Sequence, residues 1–309
     1  MGHDKLRKFA ENLTFSCLLQ PSAEELLADG YFALRDHAVK GHWGEFFGND
    51  NPIVLELGCG KGEYTLDMAR RFPGKNFIGV DIKGARLWRG AKTATEEKLP
   101  NVAFLRTRIE FITAFFAPGE VSEIWLTFSD PQMKSENARL TSPVFLEKYS
   151  RFLAPGGLIH LKTDSIFLYH YTLAMARKNS LEILDSTDDL YGRPSDGSSL
   201  YEVQTFYEKM FLSRGFKITY LCFRLEPSLG CGAAPKTVGS ADPSQAGAWA
   251  PPSYVPRVAT GFRDSTAPQG GPAAQIATGR SVGRFFYPED PEEFDSAAER
   301  AADPPRKNC

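Results

Sequence analysis

The chain has 309 residues, 42% of them hydrophobic and 12% aromatic, which is enough for a sizeable core in one large domain or two small ones. Its net charge of −2 does not predict a nucleic-acid partner, so any such binding needs a local basic patch. No apolar run approaches the roughly 20 residues of a membrane span, and no signal peptide is predicted. The five cysteines include no CxxC pair, which argues against zinc and for free thiols in a reducing cytoplasm.

Strands and helices alternate along the chain up to about residue 226. The predicted strands are IVLEL, NFIGVDI, VAFLR, EIWLTF, LIHLKT, LEIL and KITYLCFR, in chain order. The helical segments between them include GEYTLDMARRF, ARLWRGAKTATEEK, PVFLEKYSRFL and IFLYHYTLAMARKN. This order predicts an α/β fold with a mostly parallel sheet and helices on both faces. Ligands of such folds bind outside the carboxyl ends of the strands.

The composition predicts three regions: an N-terminal extension over residues 1–50, partly flexible; a main domain over 51–226; and a tail over 227–309. The tail holds more than half of the chain's 21 prolines and shows no helical or strand period, so we expect it to be disordered. A misjoined gene end is an equal alternative. The patch RFFYPEDPEEFD within it could bind a partner. Truncation after Glu226 is therefore expected to leave folding and activity intact.

A glycine-rich turn follows the first predicted strand, in the stretch IVLELGCGKGEYTLDMARRF. Gly58, Gly60 and Gly62 stand at alternate positions, where a backbone without Cβ atoms can turn tightly and approach a ligand. A dinucleotide-binding loop needs its third glycine at position 63, which is Glu63. The spacing therefore weakens the prediction of a pyrophosphate ligand.

Two carboxylates accompany this turn. Glu56 lies two residues before the first glycine and suits a ligand that carries a cation, such as the amino group and sulfonium of S-adenosylmethionine. Asp81 ends the second strand, where an acidic side chain accepts both hydroxyls of a ribose. Together with the glycine turn and the strand order, they predict a nucleotide-binding site.

The stretches VLELGCGKGEY and FIGVDI resemble class I methyltransferases, in which a seven-stranded Rossmann-like sheet binds S-adenosylmethionine. LTFSDPQMK, RLTSPVFLEKYSRFLAPGG, HLKTD and TFYEKMF are similar, in order and approximate spacing, to the bacterial tRNA (guanine-N7)-methyltransferases. The resemblance covers about residues 5–225. It implies a cytoplasmic enzyme that uses S-adenosylmethionine and no metal to methylate the variable-loop guanosine of tRNA (position 46), with RNA contact by the N-terminal extension. The oligomeric state, monomer or homodimer, stays open.

The resemblance also implies site residues. Asp130, which follows a strand ending in Ser-Asp-Pro, is the expected catalytic residue and a cofactor contact. Arg108 occupies the place of an aspartate near the adenine and is included among the cofactor-binding residues. The implied substrate contacts are Lys134, Asp164, Thr205, Phe206, Tyr207 and Glu208. These residues could instead have purely structural roles: Asp130 in a turn, Lys134 on the surface, and Asp164 or Thr205 as a helix cap.

The sequence departs from the family pattern after Asp130. Gln132 and Met133 replace the usual Trp-Pro, and a basic cluster is reduced to SENA before Arg139. Alternatives from other classes are a nucleotide-dependent dehydrogenase on the same kind of sheet and an RNA-binding module without turnover. A methyltransferase for a small molecule or a protein is a third, although it leaves the tRNA-type motifs as coincidences.

Overall fold

The computed structural model describes residues 2–27, 30, 33–227 and 280–288. The strands are β1 (Leu18–Leu19), β2 (Ile53–Leu57), β3 (Asn76–Asp81), β4 (Val102–Arg106), β5 (Val121–Thr127), β6 (Leu153–Thr163), β7 (Ile183–Thr187), β8 (Thr219–Arg224), β9 (Ser281–Val282) and β10 (Phe285–Phe286). The α-helices are α1 (Gly2–Asn12), α2 (Ala23–Leu26), α3 (Trp43–Phe47), α4 (Glu63–Arg71), α5 (Gly84–Glu96), α6 (Pro143–Tyr149), α7 (Ile166–Lys178), α8 (Ser199–Glu202) and α9 (Phe206–Ser213).

The main sheet has eight strands in the order β1-β4-β3-β2-β5-β6-β8-β7. Only β8 within it runs antiparallel to its neighbours, β6 and β7. The seven strands predicted from the sequence are all present, and the mostly parallel sheet is confirmed. The eighth, β1, pairs with β4 through two residues, which are too few to show a pattern of alternation.

Helices cover both faces of the sheet. Alternate residues of each strand point to opposite sides, so one strand contributes side chains to the clusters on both faces. Leu55 of β2 belongs to a cluster that includes side chains of α6 and α7. Its neighbour Val54 belongs to a second cluster, with side chains of α4, α5 and α9. This two-sided burial explains why the strands read as continuous apolar runs.

The N-terminal extension contributes packed elements. The Nδ2 of Asn12, at the end of α1, donates to the carbonyl of Gly84 at 2.9 Å and joins α1 to α5. Trp43 in α3 is fully buried, and its indole nitrogen donates to the carbonyl of Phe115 at 2.9 Å. RNA contact by this extension stays a prediction.

Most of the predicted disordered tail lies outside the described residues. Residues 280–288 are an exception to the expectation, because they form the hairpin β9–β10, which lies against α6. Phe285 of this hairpin is only 2% exposed and belongs to the core cluster on that face of the sheet. Because truncation after Glu226 would remove this packed hairpin, the structure does not support the expectation that truncation is neutral.

Candidate active site

The carboxyl ends of β2 to β6 meet at one edge of the sheet, where most of the predicted site residues lie. The glycine loop (residues 58–62) follows β2, and Asp81 is the last residue of β3. Asp130 follows β5, and Asp164 follows β6. Because these strands are parallel neighbours, the fold brings together segments that are far apart in the sequence.

The glycine loop has the backbone conformation that its sequence predicts. Gly58, Gly60 and Gly62 have φ angles of +83°, +59° and +73°, in the left-handed region that favours glycine. A Cβ atom at Gly62 would collide with the ring of Phe104. At Gly58 and Gly60 a Cβ atom would meet nothing within 4 Å, so the open side of the loop has room for a ligand.

Asp81 fastens the glycine loop to the end of β3. Its side chain is buried, with Oδ2 accepting from the backbone N–H of Gly60 at 3.0 Å and Oδ1 from that of Lys83 at 2.7 Å. A carboxylate has about four acceptor sites, so these bonds leave lone pairs for ribose hydroxyls. The geometry therefore fits the predicted role, which stays a prediction.

Glu56 is buried and holds three elements together. Its Oε2 accepts from the backbone N–H and the hydroxyl of Thr65 in α4, at 2.9 and 2.5 Å. Its Oε1 accepts from the hydroxyl of Thr127 in β5 at 2.6 Å. Burial raises the pKa of Glu56 to about 7, although these hydrogen bonds oppose the shift. Direct contact with a cofactor stays a prediction, since both oxygens already have partners.

Replacing Glu56 by Gln should change how stability depends on pH. Folding raises the pKa of the Glu56 carboxyl from 4.5 to about 7, so this group stabilises the folded state at low pH. Its contribution is complete below pH 4.5, and it changes within the window from pH 4.5 to about 7. That contribution is lost as the pH rises through it, and it amounts to on the order of 3 kcal/mol. Urea unfolding across the window should show this loss in the wild type and in the control Glu96→Gln, but not in Glu56→Gln. Equal pH profiles for all three would contradict the prediction.

Asp130 lies at the start of an exposed loop, here called the Asp130 loop (residues 128–139). Its carboxylate is exposed and accepts from the backbone N–H of Gln132 at 2.9 Å. Phe128 and Gln132, on either side of it, have φ angles of +52° and +50°. Non-glycine residues rarely adopt this conformation, which costs on the order of 1 kcal/mol or more and persists only where the surrounding structure enforces it.

Arg139 supplies part of that support. Its Nε donates to the carbonyl of Pro131 at 3.1 Å, and the guanidinium lies over the rings of Phe167 and Tyr171 at 4.7 and 4.4 Å. The side chain is only 6% exposed. From the sequence, Arg139 had no predicted role of its own, whereas the structure buries it at the end of the loop that carries Asp130.

The block 205–208 lies close to both loops. The backbone N–H of Phe206 donates to Glu63 at 2.8 Å, and the amine of Lys61 lies 5.7 Å from the centre of the Phe206 ring. In the same helix, α9, Phe211 stacks with Phe128 of the Asp130 loop, with ring centres 6.2 Å apart. These contacts set the block between the glycine loop and the Asp130 loop.

Phe206 and Tyr207 are 60% and 47% exposed, and their ring centres are 5.8 Å apart in an edge-to-face arrangement. Phe206 is more exposed than a large aromatic side chain usually is, so the pair beside the glycine loop is a candidate binding surface. Thr205 caps α9, because its hydroxyl accepts from the backbone N–H of Glu208 at 3.2 Å. The capping alternative for Thr205 therefore holds whether or not it also contacts substrate.

Glu208 is fully buried rather than exposed at the site. Its Oε1 lies 2.7 Å from the amine of Lys162, which is also fully buried, and accepts from the hydroxyl of Tyr191 at 2.6 Å. Lys162 donates further to the carbonyls of Leu200 and Val203, at 2.6 and 3.2 Å. In this conformation Glu208 cannot reach a base. Its predicted contact with substrate stays a prediction and would require local movement of this part of the chain.

The remaining predicted residues lie at the same edge. Asp164 is half-buried, and the side-chain cap of α7 is its neighbour Ser165, which accepts from Leu168 at 3.2 Å. Lys134 is exposed in the Asp130 loop. Arg108, after β4, is exposed and pairs with Glu110 at 3.2 Å. The substrate contacts predicted for Asp164 and Lys134 and the cofactor contact predicted for Arg108 stay predictions.

Sequence reasoning missed two exposed lysines at this edge, Lys61 after β2 and Lys83 after β3. With Arg108 and Lys134, one exposed cation follows each of the four neighbouring strands β4, β3, β2 and β5. The net charge hides this local pattern, which appears only once the strand order brings the four loops together. The signal in the sequence is a basic residue shortly after each strand.

Among residues 2–27, 30, 33–227 and 280–288, no group of three or more His, Cys, Asp or Glu side chains is arranged to hold a metal ion. None of the helices described is both long enough and apolar enough to cross a membrane. Cys17, Cys59 and Cys222 are free thiols.

Comparison with known proteins identifies the family. A family model described as "Putative methyltransferase" matches residues 50–221. The tRNA (guanine-N(7)-)-methyltransferase of Christiangramia forsetii is 53% identical over 226 residues, which cover 72% of this chain and 98% of the relative. The chain belongs to the bacterial tRNA (guanine-N7)-methyltransferase family. Relatives with the same name from Bacteroides thetaiotaomicron and Porphyromonas gingivalis are 50% and 55% identical, covering 73% and 60% of this chain and 87% and 77% of the relatives.

Membership in the tRNA (guanine-N7)-methyltransferase family confirms the resemblance drawn from the motifs. It excludes the dehydrogenase alternative, in agreement with the missing third glycine of a dinucleotide loop. The family model ends at residue 221, so the hairpin β9–β10 lies outside the part of the chain that it matches.

Proposed function

We propose that the protein transfers a methyl group from S-adenosylmethionine to N7 of a guanosine in tRNA. The observation that carries this proposal is the meeting of three features at one edge of the sheet: the glycine loop, the Asp130 loop and the exposed pair Phe206 and Tyr207. The 53% identity to a protein named for this reaction supports the substrate.

The residues at the glycine loop fit the cofactor. The open space at Gly58 and Gly60 can take a ligand against the backbone, and Asp81 can accept ribose hydroxyls without giving up its bonds to the loop. Glu56 lies beneath the loop and orients α4 through Thr65. When bound, S-adenosylmethionine supplies an electrophilic methyl group on a positively charged sulfur.

Asp81→Ala should weaken binding of S-adenosylmethionine by roughly tenfold to a hundredfold, the usual cost of losing hydrogen bonds to a charged group. The change removes an acceptor for the cofactor and frees the N–H of Gly60, so the loop loses its attachment to β3. Calorimetric titration measures the effect. Asp67→Ala is a matched control, since it removes an exposed carboxylate from α4. Equal affinities for the wild type and both variants would exclude the cofactor assignment.

Guanine N7 needs no base to activate it, because it carries an in-plane lone pair and no proton at neutral pH. Catalysis then depends on alignment and on charge, since the purine becomes cationic as the methyl group is transferred. The carboxylate of Asp130 is exposed at the site and complements that charge. Phe206 and Tyr207 offer exposed ring faces on which a base can stack.

The tRNA backbone would contact the four exposed cations Lys61, Lys83, Arg108 and Lys134. Because lysine and arginine bind phosphates as a sequence-independent electrostatic surface, a local group of exposed cations can attract RNA even in a chain with a net charge of −2. Free thiols at Cys17, Cys59 and Cys222 fit a reducing compartment, so the proposal assigns the protein to the cytoplasm.

The target within tRNA is proposed to be the variable-loop guanosine, position 46 in tRNA numbering, which rests on the family resemblance. A transcript with adenosine at that position should bind but accept no methyl group. Methylation of this variant at the wild-type rate would move the target elsewhere in the tRNA.

One assay tests the proposed reaction. The full-length protein is incubated with methyl-labelled S-adenosylmethionine and an unmodified tRNA transcript, and the RNA is then digested to nucleosides and analysed by mass spectrometry. We expect the label in 7-methylguanosine. Label in another nucleoside would contradict the assignment of N7, and RNA binding without any transfer would favour a non-catalytic RNA-binding module.

A further inference from the structure

The C-terminal hairpin β9–β10 is anchored on the protein surface by apolar and polar contacts. Phe285 is 2% exposed, whereas its neighbour Phe286 is 41% exposed. The side chain of Asn179, just after α7, donates to the carbonyl of Phe286 at 2.8 Å and accepts from its N–H at 2.7 Å. One side chain therefore satisfies both backbone groups of a strand residue, which fixes the register of the hairpin against the main domain.

Both ends of the hairpin contact the Asp130 loop. The hydroxyl of Tyr287 donates to Oδ1 of Asn137 at 2.5 Å, and Tyr287 is only 6% exposed. The guanidinium of Arg280 lies 2.5 Å from Oε2 of Glu136. Arg280 and Tyr287 are joined to each other by a backbone hydrogen bond of 2.9 Å, so the two contacts act as one clamp.

The clamped residues connect to Asp130 through Arg139. The other oxygen of Glu136 lies 3.9 Å from Arg139, whose Nε donates to the carbonyl of Pro131. Pro131 is buried and directly follows Asp130. A path of polar contacts, the longest of them the 3.9 Å ion pair between Glu136 and Arg139, thus runs from the hairpin to the backbone beside the exposed carboxylate.

We propose that the hairpin β9–β10 is a positioning element that holds the Asp130 loop in its substrate-binding conformation. The loop contains two non-glycine residues with positive φ, Phe128 and Gln132, so it needs support from outside itself. The hairpin supplies that support from a part of the chain that the family model does not cover. That the Asp130 loop binds tRNA rests on the proposed function. The contacts of Arg280 and Tyr287 with this loop do not depend on that function.

The test compares Phe285→Ser with its matched control Phe286→Ser in the full-length protein. Phe285→Ser, at a buried position, should release the hairpin and raise hydrogen–deuterium exchange in peptides that cover residues 130–140. Exchange in peptides from β2 and β3 should not change. Phe285→Ser should also lower kcat/KM for tRNA by roughly two- to tenfold, the range expected for the loss of about one net hydrogen bond. Affinity for S-adenosylmethionine should stay within about twofold, because the glycine loop and Asp81, which the proposed function gives the main cofactor contacts, lie outside the released loop. The control Phe286→Ser, at an exposed position, should leave hydrogen–deuterium exchange, kcat/KM and cofactor affinity at the wild-type level.

A second variant, Tyr287→Phe, removes only the hydroxyl that binds Asn137 and keeps the buried ring. We expect it to raise exchange in residues 130–140 without releasing the hairpin. Exchange in this loop that is the same in the wild type and in both Phe285→Ser and Tyr287→Phe overturns the proposal. If the wild type fails to methylate tRNA, the proposed function fails, but the exchange experiment still decides whether the hairpin holds the loop.

Discussion

Asp130→Asn is expected to slow methyl transfer to tRNA by about a hundredfold to a thousandfold, the effect of removing one preorganised electrostatic contact in other enzymes. The substitution keeps the shape of the side chain and the acceptor for Gln132, so the loop should keep its conformation. It removes the negative charge that complements the cationic purine. Since guanine N7 has no proton to lose, the loss should reflect charge rather than a missing base.

The measurement is a single-turnover rate with saturating tRNA, made alongside the affinity for S-adenosylmethionine. A slower chemical step at unchanged affinity assigns the effect to the transition state rather than to cofactor binding. Asp67→Asn, which neutralises an exposed carboxylate on α4, should leave the rate unchanged. An unchanged rate for Asp130→Asn would reduce Asp130 to a residue that forms a turn at the end of β5.

Lys162→Met should lower the free energy of unfolding by about 3 to 5 kcal/mol, the cost of leaving a buried charge without its partner. The variant would leave Glu208 fully buried without its ammonium, and would leave the carbonyls of Leu200 and Val203 without their donor. Burial lowers the pKa of Lys162, while Glu208 opposes that shift. Urea unfolding at neutral pH measures the loss.

Two comparisons separate the buried pair from the general effect of losing a lysine. Lys217→Met removes an exposed lysine that pairs with Asp189 at 3.2 Å and should cost less than about 1 kcal/mol. The double variant Lys162→Met with Glu208→Leu should recover much of the stability, because no unpaired charge remains in the core. Equal losses for Lys162→Met and Lys217→Met would show that the pair contributes no more than a surface contact.

The strands and the glycine loop could be predicted because their signals are local. β2 and β4 match the predicted runs IVLEL and VAFLR residue for residue, and the positive φ angles of Gly58, Gly60 and Gly62 follow from their residue type. The family motifs then placed Asp130 at the carboxyl edge of the sheet, where the structure also has it, while its catalytic role stays a prediction. Local patterns were sufficient for these features because each depends on neighbours within a few residues.

The burial of Glu208 could not be predicted in this way. Its partner Lys162 stands on β6, in another element of the chain, and the sequence around Glu208 contains the exposed residues Phe206 and Tyr207. A pairing between distant elements leaves no periodic signal. The hairpin was missed for a different reason: the strand pattern of its few residues was averaged with the surrounding proline-rich and glycine-rich sequence.

The central claim is that N7 of a guanosine is the nucleophile at the site formed by the glycine loop, the Asp130 loop and the block 205–208. A tRNA in which the variable-loop guanosine is replaced by 7-deazaguanosine tests it most directly, because a C–H group takes the place of N7 while the Watson–Crick edge is unchanged. Single-turnover transfer of labelled methyl is measured together with the affinity of both tRNAs for the protein. We predict similar affinities for the two tRNAs and no transfer to the 7-deaza form. Transfer to the 7-deaza tRNA at the rate of the unmodified one would contradict the claim.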